Sequence, residues 1–340
     1  MQKVLSKMNL EELEEFCLSM GESKFRARQI YNWVYLKSVK DIDDMTDLSK
    51  KFRDRLKEIA IVSDIKIAAK QVSSDGTIKF LLEFPDGERV ETVLMRFDNR
   101  SNLTACVSSQ VGCAMGCAFC ATGKRGFIRN LTPYEIISQV LAIQVETGLK
   151  VTNIVFMGQG EPLLNLENVL TAMKIFNECF QIGARRMTVS TCGVVPKINK
   201  LADLEMQSTL AISLHAPTHE LRQKVMPVEK KYNIDELKKA LTNYTQKTGR
   251  RVTIEYILIG GFNDTPQCAK DLAYYLSDLN CNINLIIYNP VAGDSFSRPT
   301  KDAIYKFKYL LETAGKKVTI RLERGLDIDA ACGQLSGKAL

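Results

Sequence analysis

The chain has 340 residues, 45% hydrophobic and 25% charged, the balance of a globular protein that buries one large core or a medium core with an appendage. Lys and Arg outnumber Asp and Glu by 46 to 39, a formal charge of +7 that permits a polyanionic partner without demanding one. No run approaches the roughly 20 apolar residues of a membrane helix, and the charged start MQKVLSKMNLEELEEF lacks the apolar stretch of a signal peptide, so a cytoplasmic protein without a membrane partner is expected.

Residues 9–60 read as helices. Leu10, Leu13 and Phe16 make one apolar stripe. A second segment places Phe25, Ile30, Trp33 and Val34 on an apolar side and leaves Lys24, Arg26 and Arg28 outside, with Lys37 beyond. The charges of this region either hold RNA or are simply solvated, and the aromatics read as core. From 63 to 98 the pattern changes to short strands, IKIAAKQV, TIKFLLEF and RVETVLMRF, punctuated by SSDG and PDG hairpin signals, hence a small antiparallel sheet.

After about residue 103 strands and helices alternate. Strands are predicted at 105–108, 153–157, 187–191, 209–214, 252–257, 284–288 and 318–322, with helices at 133–145 and 234–244 among those between them. Thr132 before Pro133, with Glu135 three residues on, is a capping box. Such alternation implies right-handed parallel crossovers, an α/β sheet or open barrel whose chemistry sits at the C-terminal strand ends. Three parts are expected: a helical accessory region at 1–62, a small β extension at 63–98, and an α/β core at 99–340.

Ten cysteines in a chain with no secretory signal argue against a disulfide scaffold. Cys17, Cys179, Cys268 and Cys281 lie in apolar or helical contexts and read as core filler. Cys113, Cys117 and Cys120, in VGCAMGCAFCATG after a strand, can instead wrap one face of an iron–sulfur cubane and leave one iron without a protein ligand. Zinc and unrelated thiols are the alternatives. Structural zinc takes four Cys or His ligands, and the two histidines, His215 and His219, lie about a hundred residues away.

Other strand ends carry polar residues. NIVFMGQGEPLLN offers Gly158, Gly160 and Glu161; VSTCG offers Ser190; AISLHAP offers Ser213, Leu214 and His215; IIYNP offers Asn289. Each alone could be a turn or a cap, and His215 alone reads as readily as structural. Together, on one side of a parallel sheet, they suggest a shared pocket. Cys332, in GLDIDAACGQLSG, is either an inert thiol on a flexible tail or, beside Asp327 and Asp329, a purposeful one. Cys106 is its possible partner or a core residue, and Glu91 in ERVETV could be an ordinary solvent-facing strand residue.

The cysteine loop resembles that of the radical S-adenosylmethionine (SAM) superfamily, CxxxCxxC with an aromatic before the last cysteine, here Phe119. The resemblance implies a partial (β/α) barrel, a [4Fe–4S] cluster on Cys113, Cys117 and Cys120, and SAM bound at Gly160, Glu161, Ser190, Ser213, Leu214, His215 and Asn289. The succession ERVETV, CVSSQVGCAMGCAFCATG, FMGQGEPLLN, STCGVVP, SLHAP, NP and DIDAACGQL resembles the RlmN/Cfr family of RNA adenosine methyltransferases across essentially the whole chain. Gln159 stands where the family often has Met.

That resemblance implies methylation of carbon 2 of an adenine in 23S ribosomal RNA and in some transfer RNAs, or, on a Cfr-like alternative, carbon 8 of the same ribosomal adenine. It implies two SAM per turnover, Cys332 as an S-methylcysteine intermediate, Glu91 as proton acceptor and Cys106 in a transient disulfide with Cys332. A flavodoxin-type electron donor and a monomer are expected with it. A glycyl-radical activase or lyase would not need Cys332, and an iron–sulfur RNA-binding or redox-sensing module would not cleave SAM.

Overall fold

The computed structural model describes residues 2–97, 100–204, 207–291 and 293–337. Residues 98 and 99, where the sequence suggested a boundary, lie outside them.

The N-terminal region is helical, as its periodicity predicted. Helix Leu10–Ser19 opens with an Asn9–Glu12 capping box and buries Leu13 and Cys17. Helix Lys24–Tyr31 buries Ala27 and Ile30, and a π-helical turn, Asn32–Leu36, continues it and buries Val34 and Tyr35. Phe25 corrects the expectation that the aromatics are core: it is 63% exposed. Two residues before Ala27 is about 200° around a helix, which turns Phe25 away from the buried stripe. Trp33 is half-buried; its indole N–H donates to Asp47 (2.5 Å) and the Lys37 ammonium sits 3.3 Å above its ring centroid. Strands β1 (Lys3–Val4) and β2 (Ala60–Ile61) pair in parallel, tying the start of this region to its end.

The rest is organised by one ten-stranded sheet. Its strands in chain order are β3 (Lys66–Val72), β4 (Ile78–Glu83), β5 (Arg89–Phe97) and β6 (Arg100–Cys106). A separate antiparallel pair follows, β7 (Gln110–Gly112) with β8 (Phe127–Asn130). The large sheet resumes with β9 (Asn153–Phe156), β10 (Met187–Thr191), β11 (Thr209–Ser213), β12 (Val252–Leu258), β13 (Cys281–Ile287) and β14 (Val318–Ile320). The order is β14-β13-β12-β11-β10-β9-β6-β5-β4-β3. The small antiparallel sheet read from the sequence is therefore an extension of the main sheet.

Strand β6 makes the join. It begins earlier than predicted, pairs antiparallel with β5, and pairs its last residues, Thr104–Cys106, in parallel with β9. From β9 to β14 every pairing is parallel, with helices such as Pro133–Thr147, Leu166–Glu178 and Ile234–Thr248 as crossovers. The Thr132–Glu135 capping box forms as predicted. Among the described residues no helix is long and apolar enough to cross a membrane.

Alternation along the strands sorts two faces. Phe80, Leu82, Val90, Leu94, Ala105, Ile154, Val189, Ile212, Ile254 and Leu285 belong to the main core. The registers Leu81↔Glu91, Val93↔Cys106, Cys106↔Val155, Ser213↔Glu255 and Glu255↔Asn284 place the opposite set on a common inner face. Glu91, Cys106, Ser213 and Glu255 lie there.

Candidate active site

The pairing of β7 with β8 pinches a loop from Cys113 to Cys120 and the helix Ala121–Arg125 that leaves it. Cys113 N–H donates to the Gly126 carbonyl (2.9 Å), and Ala118 N–H donates to the Val225 carbonyl (2.9 Å), so the loop is fixed at both ends of its course. All three thiols border one cavity with Met157, Gly160, Glu161, Ser190, Ser213, His215 and Glu255. Among the described residues no three His, Cys, Asp or Glu side chains converge as they would on one metal ion. Three soft sulfur donors around a shared cavity, each free to bind its own iron, fit a cubane better than zinc. Burial pushes the Cys113 thiol up to about 12 and holds the Cys117 thiol well above its ordinary value, so both are neutral thiols when no cation is bound.

Glu161 is 3% exposed and its carboxylate accepts from Cys192 N–H (2.8 Å) and Leu163 N–H (3.0 Å), pinning the end of β10 to the turn after β9. Burial raises its pKa and those hydrogen bonds oppose the rise. Gly160 has φ +100°, and a Cβ there would meet Gln110 N at 2.7 Å, so the turn requires glycine. Gln159 reaches under the site, its Oε1 accepting from Glu91 N–H at 3.3 Å. The Ser190 and Ser213 hydroxyls lie 3.5 Å apart across β10 and β11.

His215 stands in left-handed backbone, φ 58°, with Nδ1 accepting from Ile257 N–H (3.1 Å) and its carbonyl accepting from Asn263 (2.7 Å). Its ring meets Phe119 edge-on at 4.9 Å. Burial and the Arg222 cation push its pKa down to about 3, so it is neutral at working pH. Two further residues predicted for the site do not border this cavity. The Leu214 side chain belongs to the main core and its carbonyl accepts from Arg222 (3.1 Å); Asn289 borders the neighbouring cavity.

That second cavity is lined by Met95, Cys106, Val155, Asn289 and Cys332, and shares Cys120, Met157, Arg321, Cys332 and Gly333 with the first. The two thus form one continuous site with Cys332 at their junction. Cys106 and Cys332 are free thiols, so no disulfide joins them in this state. Burial, then the neighbouring Cys332, pushes Cys106 up to about 12.

The segment bearing Cys332 is tied down rather than loose. Gly325 N–H donates to Asp75 (2.9 Å), and Asp327 accepts from Ser73 Oγ (2.5 Å) and Ser74 N–H (3.0 Å). Ala121 N–H donates to the Gly333 carbonyl (2.7 Å), and Leu335 is buried beside Val93 and Cys106. The chain leaving β14, one edge of the sheet, therefore grips the β3–β4 turn at the other edge. Glu91 corrects the solvent-facing alternative: it is 2% exposed, and its Oε2 accepts from Ser336 N–H (2.6 Å) and Gly337 N–H (2.7 Å).

Four features escaped sequence reasoning. Lys79 pairs with Glu91 at 3.1 Å. Arg321, 3.6 Å from Glu255, borders both cavities; the adjacent Cys332 and then Glu255 raise its pKa further. Glu255 itself is buried with Oε2 lacking a hydrogen-bond partner. Arg222 and Glu229, both 0% exposed, form an ion pair that also holds the carbonyls of Cys192 and Leu214. A lone Lys in TIKFLLEF and a lone Arg in VTIRL were the available signals, because a charge inside an apolar strand needs a partner.

Comparison with known proteins agrees with this geometry. Residues 4–62 match the ribosomal RNA large subunit methyltransferase N-terminal domain, and residues 107–271 match the radical SAM superfamily. A probable dual-specificity RNA methyltransferase RlmN from Alkaliphilus oremlandii is 48% identical, covering 100% of this chain and 99% of that protein. Its counterpart from Clostridioides difficile is 47% identical, covering 98% of each. The crystal structure of a radical SAM methyltransferase from Sphaerobacter thermophilus superposes with TM-score 0.92 at 44% identity, covering 99% of this chain and 100% of that one.

Proposed function

The chain belongs to the RlmN family of radical SAM RNA methyltransferases, and from that premise we propose that it methylates carbon 2 of an adenine in the peptidyl-transferase region of 23S ribosomal RNA and in the anticodon loop of some transfer RNAs. The observation that carries this reading is the second pair of thiols: Cys106 and Cys332 border one cavity that opens onto the cysteine trio. A radical enzyme that only abstracts hydrogen from its substrate has no need of them.

Cys113, Cys117 and Cys120 would hold the [4Fe–4S] cluster, with SAM against Gly160, Glu161, Ser190 and Ser213. Bound together and reduced by one electron from a flavodoxin-type donor, they supply the one-electron cleavage of SAM that yields a hydrogen-abstracting radical. Carbon 2 of adenine is electrophilic, so direct attack on a sulfonium is a poor route and a detour through sulfur suits it. Cys332 first takes a methyl from one SAM: its S–CH3 bond forms as the sulfonium C–S bond breaks. One hydrogen atom of the Cys332 S-methyl then passes to the 5′-carbon released from a second, cleaved SAM, and the carbon radical left on sulfur forms its bond to carbon 2.

Glu91 then accepts the carbon 2 proton, which requires its carboxylate to leave the Ser336 and Gly337 amides. Cys106, deprotonated, attacks the Cys332 sulfur; the sulfur–carbon bond breaks, the freed carbon takes a proton, and a Cys106–Cys332 disulfide remains. The odd electron left on the base by the addition returns to the one-electron carrier that supplied it, balancing the one that opened the turnover. The apolar wall of buried Val93 and Leu335 with partly buried Val155 keeps water from the carbon radical. We read residues 1–62 as the part that holds RNA, and a loop adenine, already splayed from its stack, as the base that enters.

The test is anaerobic reconstitution with a ribosomal RNA transcript followed by nucleoside mass spectrometry. 2-methyladenosine supports the reading; 8-methyladenosine alone, or no methylated base despite SAM cleavage, overturns it.

A further inference from the structure

We propose that Lys79 is a positioning residue that holds the proton acceptor and the Cys332 segment in one register; this rests on the roles just given to Glu91 and Cys332. Its Nζ lies 3.1 Å from Glu91 Oε1 and 3.3 Å from the Asp329 carbonyl, three residues before Cys332. The ladder explains the reach. Leu81 stands opposite Glu91 and Lys79 opposite Val93, so Lys79 and Glu91 are diagonal neighbours on the inner face. A lysine stem spans that diagonal, and a shorter side chain on β4 would not.

Glu91 is thereby linked to both flanks of Cys332. Upstream, the link runs through Lys79 to the Asp329 carbonyl; downstream, its second oxygen takes the amides of Ser336 and Gly337 directly. The two flanks differ in what they allow. The downstream amides compete with the substrate proton for the same oxygen and must release it. Lys79 sits on the other oxygen, so it keeps the carboxylate aimed while that release takes place.

Burial argues that this pair is not there for stability. The two side chains are 5% and 3% exposed, and an ion pair withdrawn from water gains little over apolar residues of the same volume. Their directly paired neighbours, Leu81 and Val93, are buried and apolar, so Leu or Met at both positions would pack there without the desolvation penalty. What an apolar pair could not do is hold the Asp329 carbonyl and orient a carboxylate.

The test separates the two halves of the reaction. Lys79→Met is assayed anaerobically with SAM and an unmodified transcript of the peptidyl-transferase region. Methylation of Cys332, read by intact-protein mass spectrometry, should stay within about twofold of the parent, because that step does not use Glu91 and the segment keeps its ties through Gly325, Asp327 and Gly333. Release of 2-methyladenosine should fall about 10- to 100-fold, the usual consequence of misplacing a reacting group by a fraction of an ångström to an ångström. A covalent protein–RNA species should accumulate on denaturing gels, and Lys79→Arg should restore turnover.

Equal losses in both halves, or unchanged release, overturn the proposal. If Lys79→Met does not fold, Lys79→Gln is read in the same way, and failure of both to fold assigns Lys79 to the fold alone and overturns it too. Glu91→Gln is the reference. If it fails to trap the adduct, the role of Glu91 falls; if it traps the adduct and Lys79→Met does not, only the role of Lys79 falls.

Discussion

The Thr122 hydroxyl donates a 2.6 Å hydrogen bond to the Leu335 carbonyl, so the helix leaving the cysteine loop is fastened to the segment that carries Cys332. Thr122 is 3% exposed, and its replacement by Val strands a buried acceptor, costing about 1–3 kcal/mol. The loss is local to the tail. Hydrogen exchange at residues 333–337 and alkylation of Cys332 should both quicken in Thr122→Val, while the unfolding transition of the whole protein moves little.

The two sets of cysteines should separate by metal content. Single Ala replacements of Cys113, Cys117 or Cys120 are expected to lower iron and sulfide after anaerobic reconstitution and to abolish the visible charge-transfer absorbance. Cys106→Ala and Cys332→Ala should keep both, since neither belongs to the trio on its loop. Iron assay and absorbance spectra of the five variants check this.

Cys106 and Cys332 should in turn separate by product. Cys332→Ala has no sulfur to receive the methyl, so it should cleave SAM with RNA present and yield no methylated adenine. Cys106→Ala should form the carbon–carbon bond and then stall as a covalent protein–RNA species, visible on a denaturing gel. Both variants failing in the same way would contradict the order of steps.

His215 gives the pH dependence its sign. The folded protein holds it neutral down to about 3, whereas the unfolded chain protonates it near 6.5. Between those values the unfolded state binds more protons, so this group's contribution is present above about 6.5 and is lost as pH falls toward 3. Urea midpoints should therefore drop more steeply with acid in the parent than in His215→Asn, a residue that tolerates left-handed backbone and offers an acceptor to Ile257.

Arg222 and Glu229 anchor the strand ends behind the site. Arg222→Met leaves a buried carboxylate without its cation and frees the carbonyls of Cys192 and Leu214. A loss of roughly 3–5 kcal/mol in urea unfolding is expected. Glu229 keeps His219 and Ile234 N–H as partners, which places the outcome toward the lower end.

Much of this protein was legible before folding. The strand at Met187–Thr191 forms as predicted, and the Thr132 capping box does too, because both depend on residues within one turn or one strand of each other. Gly160 and Glu161 came from a strand-end pattern for the same reason. Phe25 was misjudged because its side of the helix is set by what packs against Ala27 and Ile30, which no local pattern reports. Leu214 and Asn289 were assigned to the site because both follow strands; the Leu214 side chain belongs to the main core, while Asn289 borders the part of the site that holds Cys332.

By itself the sequence determined that Cys113, Cys117 and Cys120 share a neighbourhood, since three thiols within eight residues must do so however the chain folds. It also determined the alternation of strands and helices, which hydrophobic period encodes residue by residue. Only the tertiary structure decided that Cys106 and Cys332, more than two hundred residues apart, border one cavity, and that Lys79 holds Glu91 beneath the Cys332 segment. Those meetings depend on β6 bridging the antiparallel and parallel halves of the sheet and on the last segment returning from one edge to the other. Strand register and long-range closure arise from the packing of the whole chain, and no window of sequence contains them.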